Sequence, residues 1–210
     1  NKNVKDDRHC LLRHGIEINE KQSFVACISD VLFMRSKNAN KSNVWPNLLS
    51  VKEMKEHIIK NLTIDNFVNY QNGNLVIDFS DLDKKIEISK YKTKANIFST
   101  LDFSKKEDNI YYLKVVSAYE NFISYLRDPD SLIDHTYLWD IISMPNPNLF
   151  EIGVNLIIFE LPKDDITNNV QIVCPTNHYS SQFYESRKPT ILLLKEEDYY
   201  EPIYLYATNK

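Results

Sequence analysis

The chain has 210 residues, 43% hydrophobic and 26% charged, with a formal net charge of −4. That is enough for one full core and lacks the basic surplus of a nucleic-acid-binding surface. Its longest apolar runs, such as Ile191-Leu192-Leu193-Leu194, fall far short of the roughly 20 residues of a membrane span.

Asn1 stands where an initiator Met would, and no signal or transit pattern follows it, so we expect an internal fragment of a longer protein folded as a single domain over residues 1–210. Cys10, Cys27 and Cys174 are odd in number and lack Cys-x-x-Cys spacing, which argues against a disulfide framework or zinc finger and for a reducing, intracellular setting. The sequons at Asn40 and Asn61 would act only in a secreted protein and read as chance. Three glycines amid abundant Asn and Lys fit the drift of an AT-rich genome.

In chain order, Phe24, Cys27, Ile28, Val31 and Leu32 put an apolar face on a helix over residues 23–34, with Ser23 as its cap. Ser50 and Glu53 have capping-box spacing ahead of Met54, Ile58 and Ile59, and Thr63 opens a short helix carrying Ile64, Phe67 and Val68. Asn72-Gly73 reads as a helix stop, so Leu75-Val76-Ile77-Asp78-Phe79 is expected to be a strand. Leu113, Val116, Tyr119, Phe122, Ile123 and Leu126 predict a long amphipathic helix over residues 111–126, ended by Asp128-Pro129. A further helix over residues 132–143 stops before Pro145 and Pro147. The last third holds short β-branched and aromatic runs at residues 154–161, 170–174, 190–195 and 203–206, which read as strands. Helices first and strands last predict an α+β (mixed α/β) domain, with N-terminal and central helices packed on a small, mainly C-terminal sheet.

Three segments resemble the ovarian-tumour (OTU) branch of the papain-like thiol-protease fold. Gln22-Ser23-Phe24-Val25-Ala26-Cys27-Ile28 is similar to that family's nucleophile-helix block, with Ser23 at the nucleophile position. Trp139-Asp140-Ile141-Ile142 and Gly153-Val154-Asn155-Leu156-Ile157-Ile158-Phe159-Glu160 resemble its later helix and central strand. Pro189-Thr190-Ile191-Leu192-Leu193-Leu194 and Asp198-Tyr199-Tyr200-Glu201-Pro202-Ile203 resemble its last two strands, with Tyr199 at the histidine position. Gln22-Ser23-Phe24, Tyr70-Gln71-Asn72-Gly73-Asn74-Leu75 and Tyr200-Glu201-Pro202-Ile203-Tyr204 also resemble, in the same order, blocks of large proteins of nucleocytoplasmic large DNA viruses. That likeness implies a structural or transcription-associated viral protein in host cytoplasm or virion.

The substitutions set the functional expectation. A thiol protease needs a thiolate activated by an imidazole. Ser23 and Tyr199 supply neither, because a tyrosine with a pKa near 10 is a poor base at neutral pH. We therefore expect a catalytically inactive OTU-like domain acting as a structural or protein-binding module, with Tyr200, Glu201 and Tyr204 offering contact surface. The expected partner is a protein, ubiquitin-like or a viral assembly component; no cofactor, membrane or nucleic acid is expected.

Two alternatives remain: an active deubiquitinase-like cysteine or serine hydrolase using Cys27 or Ser23 with His178, and a scaffold for capsid or transcription assembly. Against each catalytic reading stands a plainer one: Ser23 as a helix cap, Cys27 as a core residue, and His178 as a solvated loop residue. His9, Cys10 and His14 lack a fourth metal ligand. The carboxylates Asp134, Glu151, Glu160, Asp164 and Asp165, with Glu160-Leu161-Pro162-Lys163, only loosely match a metal-dependent nuclease, because Pro162 breaks the strand.

Overall fold

The computed structural model describes residues 9–38, 47–163, 169–174 and 184–207. They form an α+β fold of six α-helices and one five-stranded mixed sheet. The helices come from strongly local signals. Helix α1 (Ser23–Asn38) buries Phe24, Val25, Ala26, Cys27, Ile28, Val31 and Leu32, so its first half is enclosed on all sides rather than along one stripe. Helix α2 (Val51–Lys60) starts on the expected capping box: Ser50 Oγ accepts the Glu53 N–H, and Glu53 Oε2 accepts the Ser50 N–H at 2.8 Å. Helix α3 (Ile64–Phe67) is capped by Thr63, whose Oγ1 accepts the Asn66 N–H.

Residues expected to form a strand instead form helix α4 (Asn74–Phe79). The backbone reverses at Gln71 (φ 51°), Asn72 (φ 54°) and Gly73 (φ 88°). Buried Asp140 fixes this turn by accepting the Gln71 N–H at 2.6 Å. Leu75 and Val76, adjacent in sequence, are both buried as the segment packs on α5; tertiary contact overrides the β-propensity of a short apolar run. Helix α5 (Lys106–Arg127) begins five residues before the first predicted position and ends, as expected, at Asp128. Its Phe122 meets Phe67 and Phe79 at ring centroids 5.4 and 5.1 Å apart, tying α3, α4 and α5 together. Helix α6 (His135–Ser143) starts three residues late, because Asp134 Oδ1 caps the Thr136 N–H.

The strands are β1 (His9–Arg13), β2 (Asn155–Leu161), β3 (Gln171–Val173), β4 (Thr190–Glu196) and β5 (Tyr199–Ala207), in the order β1-β5-β4-β2-β3. Only β2 and β4 run parallel. Strand β1 lies where the sequence reading finds no element: it is exposed throughout and, among the described residues, paired only with β5, some 190 residues later. Strand β5 starts four residues earlier than predicted, since a turn through Glu197 (φ 53°) and Asp198 pairs Glu196 directly with Tyr199.

Period-two alternation gives the sheet two unlike faces. Leu156, Ile158, Ile191, Leu193 and Tyr200 are buried toward α1 and α6. The side chains between them, Ile157, Phe159, Leu192, Leu194 and Ile203, are half-buried and turned the other way. Gly153 seats β2 after α6. At φ 75°, an added Cβ would lie 2.4 Å from the Ser143 carbonyl oxygen, which itself accepts the Val154 N–H.

Candidate functional site

The junction of α1 with the start of β5 is where the resemblance puts a nucleophile and a base. The register explains the local chemistry. The hairpin closes at Glu196 and Tyr199, so antiparallel alternation aims the Tyr200 N–H away from β4. On that side β1 has already ended its pairing, with the His14 N–H donating to the Pro202 carbonyl. Ser23, completely buried at the first turn of α1, takes the place of a strand: its Oγ accepts the Tyr200 N–H at 2.9 Å and lies 3.4 Å from the Asp198 carbonyl oxygen. The hydroxyl thus serves β5 rather than capping its own helix, which corrects the capping expectation. Gln22 anchors the same turn, its Nε2 donating to the carbonyls of Asp128, Pro129 and Ser131.

Ser23 and Tyr199 are neighbours through their backbones but not through their side chains. Tyr199 shares its sheet face with Glu196, lining an open groove with Leu161, Pro162, Lys163 and Glu197, while Tyr200 takes the face toward α1. Burial and the Glu201 carboxylate push the Tyr199 hydroxyl up, further from use as a base. Cys27, one turn along α1, is completely buried. Desolvation, then the charges of Asp30 and Glu201, pushes its thiol well above the ordinary cysteine range, so it stays protonated at neutral pH. His178 lies outside the described residues, as do Asp164 and Asp165.

The three expected contact residues are already engaged. Tyr200 is only 1% exposed, with its ring edge-on to Phe24. Tyr204 donates its hydroxyl to Asp30 Oδ2 at 2.5 Å. Glu201, on the other face, accepts from Arg13 Nε. Tyr200 and Tyr204 therefore serve as packing, because their positions in β5 fall on the helix side of the sheet.

Among the described residues, the histidine that lies against Phe24 and Tyr200 is His135, at the first turn of α6. Its Nδ1 is 2.6 Å from the Tyr200 hydroxyl, and its ring lies among Phe24, Trp139 and Tyr200. Burial lowers the His135 pKa and raises that of Tyr200, so the hydrogen bond joins a neutral imidazole and a neutral phenol. The nearest carboxylate, Asp134, is 3.9 Å from Nδ1. Glu160 pairs with Lys195 across β2 and β4, and Lys163 pairs with Glu197, so the loose nuclease pattern is split between two ion pairs. Glu151 is exposed in the turn before β2. His9 is an exposed edge residue, Cys10 faces Tyr206 across β1 and β5, and His14 Nε2 is 3.7 Å from Asp30. No group of three or more metal-ligating side chains occurs among the described residues.

The sequence signal for the missed histidine is faint. Asp134-His135 caps a helix with Trp139 one turn on, and nothing local points to a tyrosine 65 positions away. No helix among the described residues is long and apolar enough to cross a membrane. No family model, curated protein or solved structure matches the chain.

Proposed function

We propose that this chain is a catalytically inactive, OTU-like domain that acts as a structural or protein-binding module of a larger, virus-type polypeptide. The observation that carries this reading is the Ser23 hydroxyl, fully buried and engaged with the backbone of Asp198 and Tyr200. A nucleophile needs an exposed oxygen or sulfur beside a base. Ser23 instead occupies the hydrogen-bonding place of a missing strand. The position matched to the family's histidine carries a tyrosine whose ring lies on the opposite face. The adjacent thiol of Cys27 is held protonated by burial. The packing of the first helix against the closing strand supports the scaffold part of the reading, and the Asn- and Lys-rich composition supports its viral part.

The test is incubation of the chain with ubiquitin chains and with a ubiquitin-derived electrophilic probe. No cleavage and no adduct are expected. Chain cleavage, or stoichiometric labelling of Cys27, would contradict an inactive domain.

A further inference from the structure

The β1 edge of the sheet, unpaired among the described residues, carries an inference independent of the Ser23 site. Among the described residues, strand β1 pairs with β5 on one side only. The bond from the His14 N–H to the Pro202 carbonyl fixes the alternation: even-numbered residues of β1 bond to β5, and His9, Leu11 and Arg13 direct their N–H and C=O groups outward. Proteins commonly blunt such edges with proline, a bulge or an unpaired lysine. None of these interrupts His9–Arg13, whose one firm charge, Arg13, is paired with Glu201 and Glu196.

Apolar side chains are exposed on both faces of this margin. Leu11 and Leu205 stand opposite each other on one face, 58% and 64% exposed. Leu12 and Tyr206 are exposed on the other, at 50% and 37%. An occupant of this edge must therefore be a strand that is apolar on both faces, which an amphipathic segment with one polar face is not. Strand β1 meets that description itself, with Leu11 on one face and Cys10 and Leu12 on the other.

We propose that β1 is a homodimerisation edge, pairing antiparallel with β1 of a second copy of this chain about a two-fold axis at Leu11. This register alone pairs all five residues while matching outward-facing groups with outward-facing groups. Leu11 meets its symmetry mate, Cys10 meets Leu12, and His9 meets Arg13, so two arginines are not opposed. Leu205, Leu11 and their mates then form a continuous apolar row on one face. The two sheets join into one, and the apolar outer faces become a single surface. A five-residue edge is small, so the expected dissociation constant is about 10 to 100 µM.

Sedimentation of the chain at about 100 µM is expected to give a weight-average mass roughly 1.5 to 1.8 times the monomer's, rising toward twice as concentration increases, and Leu11→Lys, which sets like charges across the axis at an exposed position, to return it to monomer with unchanged melting. The register is read separately by mild oxidation in a Cys174→Ser background. Leu12→Cys should cross-link through Cys10 of the other copy, whereas the parent should not, since its two Cys10 residues lie two rungs apart. A monomer at every concentration overturns the proposal, as does a dimer that Leu11→Lys leaves intact. A Cys10-to-Cys10 disulfide in the parent overturns the Leu11-centred pairing.

Discussion

Removing the Ser23 hydroxyl tests whether it is a strut. In Ser23→Ala the Tyr200 N–H loses its acceptor at 2.9 Å, at a site where both residues are essentially unexposed. Neither β4 nor β1 can replace that acceptor without a shift in register. An orphaned buried donor costs about 1 to 3 kcal/mol. The longer Asp198 contact, at 3.4 Å, adds little, because carbonyls tolerate incomplete bonding better than amides do. A loss of about 2 kcal/mol should lower the melting temperature by roughly 4 to 8 °C for a chain of this size. Ser23→Cys should fall between the two, since sulfur is a weak acceptor. Urea unfolding followed by circular dichroism, with the slope unchanged and the midpoint moved, measures the difference. A loss below about 0.5 kcal/mol, the range of ordinary surface substitutions, would refute the reasoning.

Other parts of the structure give equally direct tests. Gly153→Ala places a Cβ against the Ser143 carbonyl in a left-handed conformation and should destabilise by at least about 2 kcal/mol, read from the same unfolding curve. Burial holds the folded-state pKa of His135 below its ordinary value. The unfolded chain therefore takes up that proton first, and stability present above about pH 6.5 is lost as pH falls toward the folded value and then levels off. His135→Gln should remove this component from a stability-against-pH profile; an unchanged profile would show that His135 does not supply it. Native alkylation followed by peptide mass spectrometry should label exposed Cys10 and Cys174 and spare Cys27 until denaturant is added. Ser23→Cys with Tyr199→His should alkylate no faster than Ser23→Cys alone, because position 199 faces away from α1; faster alkylation would mean a different register in β5.

What could be read from the chain follows the range of the interactions. The capping box of Ser50 and Glu53, the Thr63 cap and the periodicity of α5 are contained within a few residues, and all three were legible. Leu75 and Val76 were misassigned because their helix depends on a turn held by Asp140, 69 positions beyond Gln71. Strand β1 exists only through β5 and carries no alternation of its own, being exposed on both faces. At the site, Ser23 and Tyr199 were expected side by side; the Ser23 hydroxyl meets the backbone of Asp198 and Tyr200, while the Tyr199 side chain faces the other way. Which tyrosine faces α1 was not legible, since a one-residue change in hairpin register flips every side chain to the other face. The turn at Glu197 decides it, and turns Tyr200 inward to His135.

Whether Ser23 is a strut or a nucleophile is decided most directly by intact-mass analysis of the native chain after exposure to a fluorophosphonate, which labels activated serines. Unmodified protein is predicted, because the Ser23 Oγ is buried and held by the β5 backbone. A single adduct mapped to Ser23, absent from Ser23→Ala, would contradict it.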